Sequence, residues 1–152
     1  MRRVVSGVIV ATIVGVSLSG SGQAQTAGNL TVEVDGLRNQ SGELCLKLFS
    51  GSRGFPNSNE SALKRQCVKI AANPLTLTFN NLKPGSYAVA VFHDTNGDRS
   101  LNRNGLGMPS EGFGFSQNPL VRQGPPSFGT AAFFLAGPET RLKIQMRYSV
   151  GN

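Results

Sequence analysis

Residues 82–94 read LKPGSYAVAVFHD. Pro84-Gly85 suits the central positions of a turn, with the proline presetting its own φ. The chain is then apolar at nearly every position from Tyr87 to Phe92, which marks a central strand. Leu82 anchors the turn. Tyr87 is placed to bury its ring while its hydroxyl bonds nearby backbone, in the manner of a tyrosine corner. This turn-into-strand unit is the reference against which the rest of the chain is read.

Six further stretches carry a strand pattern. NLTVEVDGL puts Leu30, Val32 and Val34 in phase, and GELCLKLF does the same with Leu44, Leu46 and Leu48. QCVKI follows, then LTLTF with Leu75, Leu77 and Phe79 in phase. TAAFFLA and TRLKIQMRYS close the chain, the latter alternating Leu142, Ile144 and Met146 with Arg141, Lys143, Gln145 and Arg147. Seven strands of period two imply an all-β fold, a seven-stranded Ig-like or prealbumin-like β-sandwich. Two segments interrupt the pattern. The crossover Gly51–Gln66 holds a candidate helical turn near Glu60–Arg65. The second is an insert over residues 94–129, 36 residues with seven glycines and four prolines. A structureless stretch of that length is usually functional or disordered. Its Phe113, Phe115 and Phe128 argue against pure disorder, since aromatic residues pack onto the body or form a binding lip.

A length of 152 residues suits one domain. Residues 1–24 have the form of a signal peptide: Arg2-Arg3, an apolar run from Val4 to Leu18, and Gly22 and Ala24 before a cut after Ala24. The apolar run falls short of the roughly 20 residues needed to span a membrane. The expectation is therefore an exported chain, periplasmic or secreted, with residues 25–152 forming one β-sandwich domain and no integral membrane segment after cleavage. Removing Arg2 and Arg3 leaves 13 basic against 8 acidic residues, a net +5. The basic residues are scattered, without the clustered footprint that nucleic-acid binding requires. They form a basic solvated face with a loose attraction to anionic polymers or lipid surfaces.

The chain has two cysteines, Cys45 and Cys67. In an oxidising compartment a single pair is usually a disulfide. Each lies in phase with a lysine, Lys47 or Lys69, on the less apolar face of its strand, so pairing across neighbouring strands is expected. The alternative is two independent thiols.

Four stretches carry a family resemblance: GLRNQSGELCLKLF, FNNLKPGSYAVAVFHDTNGDRSLN, GLGMPSEGFGFS and GPPSFGTAAFFL. Together they resemble the bacterial domain-of-unknown-function family 2141, a group of small exported proteins without an established activity. The Leu82–Tyr87 element is also similar to the turn-into-strand of transthyretin-like and collagen-binding B-type sandwich domains. Such domains serve as stalks, spacers or binding modules, and the fold alone does not choose among these.

The candidate sites lie in the insert. Asp94, Asn96 and Asp98 alternate as in the opening of a calcium loop, with Ser100 offering its backbone carbonyl and Glu111 a later carboxylate. Against the family pattern, Arg99 stands where a glycine is expected and Asn102 where an Asp is expected. The glycine serves a sharp turn at positive φ, which an arginine resists. Two or three carboxylates imply at best a weak calcium site, of order 10⁻⁴–10⁻³ M. The other reading is an Asx-type turn capped by its own side chains. His93 is the single histidine. One reading makes the chain a small periplasmic hydrolase using His93 and Glu111. Adjacent strand residues face opposite ways, so His93 and Asp94 do not pair directly. No nucleophile elbow is present, and the urate-pathway transthyretin-like hydrolases use more than one histidine and a different C-terminal motif. The other reading of His93 is a strand-end residue hydrogen-bonded to the insert. Glu111, flanked by Met108, Phe113 and Phe115, has the outline of a sugar- or peptide-recognition site, or of an insert folded onto the sandwich. The overall expectation is a non-enzymatic exported module with an unidentified protein or carbohydrate partner and, beyond calcium, no cofactor.

Overall fold

The computed structural model describes residues 26–151. The expected signal peptide, residues 1–24, lies outside the described residues. The strand patterns produce β1 (Gly28–Asp35), β2 (Glu43–Phe49), β3 (Lys64–Lys69), β4 (Leu75–Leu82) and β5 (Gly85–Asp94), the last apolar on both faces rather than alternating. The insert adds β6 (Phe113–Phe115) and opens a single helical turn, α1 (Phe128–Ala131). β7 (Phe133–Leu135) and β8 (Glu139–Gln145) complete the chain. The strands form two sheets, β4-β1-β8 and β3-β2-β5-β6, with β7 pairing the first residues of β5. This is the expected all-β sandwich, with eight strands among the described residues rather than seven.

Three local expectations change. The stretch near Glu60–Arg65 is not helical: Lys64 and Arg65 already belong to β3, and Ser58 Oγ accepts from Ser61 N within a bend. The strand expected over 130–136 shrinks to Phe133–Leu135, because Ser127 caps a helical turn by accepting from Thr130 N. The insert is not structureless: Phe113 and Phe115 pair with Phe92 and Ala90 of β5.

β1 is the centre of the smaller sheet. It pairs with β4 antiparallel and with β8 parallel. A bulge at Asn80-Asn81 shifts the β1–β4 register between Gly28 and Leu30. Asn81 takes φ 59° there, and its N–H donates to Asn29 Oδ1. The extra residue resets the alternation so that Leu82 is buried, as the turn anchor should be. Tyr87 then buries its ring and donates its hydroxyl to the Lys83 carbonyl at 2.6 Å.

Two cores result. Leu30, Val32 and Val34 of β1 meet Leu44, Leu46 and Leu48 of β2 and Val89 and Val91 of β5 between the sheets. A second cluster lies on the outer face of the larger sheet: Phe49, Ala88, Ala90, Phe113 and Phe115, closed by Val121 and Ala131. The insert aromatics therefore pack onto the body. Phe128 and Phe55 stand edge-on at 6.0 Å over the same cluster. Gly114 sits where β6 crosses the smaller sheet, and a Cβ there would lie 2.7 Å from Ile144 Cγ2.

Cys45 and Cys67 are directly opposite in the β2–β3 register and form a disulfide, 22 residues apart in sequence. Closing a loop of that length restricts the unfolded chain by about 3 kcal/mol in the chain-entropy account. The double variant Cys45→Ala/Cys67→Ala is expected to lose about that much unfolding free energy, measured by urea denaturation. A loss below about 1 kcal/mol would show that the bridge contributes little to stability.

Candidate functional site

The loop after β5 is built around two acidic side chains. Asp94 is fully buried. Its Oδ1 accepts from Gly97 N at 2.8 Å and its Oδ2 from Arg99 N at 2.7 Å. Glu111 is buried as well. Its Oε1 accepts from Thr95 N and Thr95 Oγ1, and its Oε2 from Asn102 N at 3.0 Å. A tight polar loop leaves backbone N–H groups without strand partners, and these must find acceptors. The two carboxylates supply them. Arg99 does take positive φ, 61°, against the expectation that an arginine would resist it. Its N–H bond to Asp94 supports that conformation.

Asp98 organises the exposed tip. Its carboxylate accepts from Ser100 N at 2.8 Å and from the amides of Asn96 and Asn102. Those bonds hold its carboxyl below the usual range, with Asn102 the largest cause. The loop thus brings Asp94, Asn96, Asp98, Ser100 and Glu111 into one hydrogen-bonded unit. Among the described residues a Glu43 carboxylate oxygen lies within 4.8 Å of the Cys45 and Cys67 sulfurs, and those two sulfurs are bridged. Asp94 Oδ1, Asp94 Oδ2 and Glu111 Oε2 each accept a single N–H, so each keeps acceptor capacity beyond the loop's own bonds.

His93 faces the inter-sheet core, and alternation turns Asp94 the other way. Its Nε2 lies 2.7 Å from the Ser41 carbonyl, which can only accept, so Nε2 carries the proton. Nδ1 then accepts from the Tyr148 hydroxyl at 2.7 Å. That hydroxyl also accepts from Arg38 N, and the Arg38 guanidinium stacks 4.1 Å from the Tyr148 ring centre. The insert meets His93 through backbone only, His93 N donating to Gly112 O. Both ring nitrogens and both Glu111 oxygens are engaged, and no hydrogen bond joins the two side chains.

A second region takes in Met108, Phe113 and Phe115, the residues flanking Glu111 in the sequence, but Glu111 itself does not line it. On the outer face of the larger sheet, the insert and the 51–63 crossover leave an apolar cleft of about 80 Å³. Its floor is Ala90, Phe92, Phe113 and Phe115, and its walls include Leu101, Met108, Pro109, Val121 and Pro56. Met108 stays 40 % exposed at the mouth, and the adjoining Leu106 is 88 % exposed. Beside the cleft lies a wider cavity of about 270 Å³. It is lined by the disulfide, Asn59, Gln66 and the cations Lys47, Arg65 and Arg99. Lys47 and Phe92 border both spaces. The Lys47 ammonium lies 5.5 Å from the Phe92 ring centre and donates to Asn57 O at 2.9 Å. Burial pushes its pKa down, and Arg65 adds to this, with Glu60 opposing. The phase of Lys47 with Cys45 was visible in the sequence. Its convergence with the insert depends on pairings among β2, β5 and β6, which no local pattern encodes.

These features define an all-β sandwich with a loop-built cleft on one outer face. The chain belongs to the family described as uncharacterized protein conserved in bacteria (DUF2141), whose model matches residues 32–143. No curated protein and no solved structure matches it. Among the described residues no helix is long and apolar enough to cross a membrane.

The Asp98 bonds carry a pH signature. A carboxyl depressed by folding contributes stability above its unfolded pKa, and that contribution is lost as pH falls through the folded value. Carbon-detected NMR titration is expected to place Asp98 below an ordinary Asp, and Asn102→Ala to move it upward. An Asp98 titrating at the ordinary value in both proteins would mean the tip bonds are absent in solution.

Proposed function

We propose that this chain is an exported, non-enzymatic binding module whose insert forms one wall of an apolar cleft. The carrying observation is that cleft: aromatic and alanine side chains of β5 and β6 on its floor, and an exposed methionine at its mouth. Small-ligand sites are concave and mostly apolar with a few polar groups at the edge, and Lys47 and Arg103 border this one. The lining favours a ligand with an apolar group over a purely polar sugar. Residues 1–24 support export, as does the engagement of both cysteines in a bridge. The single histidine is enclosed with both nitrogens bonded, so the base that a His93–Glu111 hydrolase needs is turned away from the cleft. The likeness of the Leu82–Tyr87 element to transthyretin-like and collagen-binding B-type domains agrees with a binding or spacer role.

The neutral fluorophore N-phenyl-1-naphthylamine tests the cleft. It is expected to brighten with the native protein, and Met108→Asp, which sets a charge at the mouth, is expected to weaken that binding about tenfold or more. Unchanged binding by a folded Met108→Asp protein would remove the cleft as the site. For the polar loop we propose closure by its own amides rather than by an ion. Melting curves in millimolar calcium and in chelator should then coincide, and a calcium-dependent rise would assign Asp94, Asp98 and Glu111 to a cation.

A further inference from the structure

We infer that the natural ligand of this face is a single-chain alkyl carboxylate, with its chain in the apolar cleft and its head over the neighbouring basic cavity. The inference rests on the cleft reading above and adds the ligand's charge and orientation. Two spaces of opposite character share one border, Lys47 and Phe92. On one side the surface is aromatic and aliphatic. On the other, Lys47, Arg65 and Arg99 line the cavity. Among the described residues none of these three cations is in a salt bridge; the two bridges present are Arg141–Glu139 and Lys143–Glu33.

The electrostatics select the head group. Like charges in one cavity raise each other's energy, and the mutual effect is felt at Lys47, whose pKa is lowered by burial first and by Arg65 next. An anion between them relieves that repulsion. Two carboxylates stand near without lining the cavity. Glu60 acts on Lys47 and Arg65, and the Glu43 carboxylate lies within 4.8 Å of the disulfide sulfurs. Arg103 lines the adjoining cleft and Lys69 stands opposite Glu43 in the β2–β3 register, so positive charge outweighs these two carboxylates and favours an anionic head. A guanidinium also matches a carboxylate with paired N–H donors. The alkyl stem then crosses Phe92 and enters the cleft, where its methylenes leave water.

The test compares three probes with an eight-carbon chain in the whole protein: octanoate, octanol and octyltrimethylammonium, the two ions titrated below their micelle concentrations and octanol below its solubility limit, all followed by amide NMR shifts. Octanoate is expected to bind at least about tenfold tighter than either of the others, with shifts at Cys67 and Arg99 as well as at Met108. Arg65→Gln/Arg99→Asn is expected to weaken octanoate about tenfold and leave octanol unchanged; asparagine tolerates the positive φ at 99. Should that variant fail to fold, raising ionic strength on the native protein replaces it: octanoate affinity should fall and octanol affinity should not. Equal binding of octanoate and octanol, or octanoate binding insensitive to both changes, overturns the carboxylate inference while the cleft reading stands. Binding to anionic vesicles without binding to monomeric octanoate reassigns the face to a membrane surface and also overturns it. If no probe binds, octanol included, the cleft reading falls and this inference with it.

Discussion

The burial of β5 on both faces governs the rest of the molecule. From Tyr87 to Asp94 every side chain is enclosed. Tyr87, Val89, Val91 and His93 turn toward the smaller sheet; Ala88, Ala90, Phe92 and Asp94 turn outward. A strand with two apolar faces needs two covers. β1, β4 and β8 provide one. The insert and the crossover provide the other, and the outer floor is low because Ala88 and Ala90 are small. Phe49, Phe113 and Phe115 fill that shallow floor. Because this second cover is made of loops, it leaves a gap beside Lys47, and that gap is the cleft.

The same insert must carry its backbone away from the sheet without stranding its amides. Asp94 and Glu111 meet that need from the two ends of the loop, one at the last residue of β5 and one just before β6. An acidic, asparagine-rich motif that resembles a cation loop therefore has a second physical use. Its oxygens receive N–H groups from Thr95, Gly97, Arg99 and Asn102. His93 and Tyr148 play a comparable part on the inner side, tying the last segment of the chain to β5 and to the turn at Ser41.

Much of this was legible in the residues. Period-two alternation located β1, β2, β4 and β8, each with one face in a core, and a continuous apolar run located β5, which is buried on both faces. The phase of Cys45 and Cys67 pointed to neighbouring strands, and the Leu82–Tyr87 spacing to a buried tyrosine with a bonded hydroxyl. What escaped was set by pairing at a distance. β6 is only FGF among glycines, too short to show a period, and it is a strand because Ala90 and Phe92 offer it an edge. The helical turn at Phe128–Ala131 hides in an apolar run and depends on the Ser127 cap. The cleft and the basic cavity need β2, β3, β5 and the insert together. Lys47 read alone is one more surface lysine.

The parallel match of β1 with β8 has a mechanical consequence. The two strands run side by side from Asn29↔Glu139 to Asp35↔Gln145, so the start of one and the finish of the other lie at opposite ends of the ladder. Tension drawn along the chain through these strands would load that whole ladder in shear, with its hydrogen bonds sharing the force instead of opening one after another. A domain wired this way resists being pulled apart lengthwise, while the loop-covered face on the other sheet stays outside the line of load.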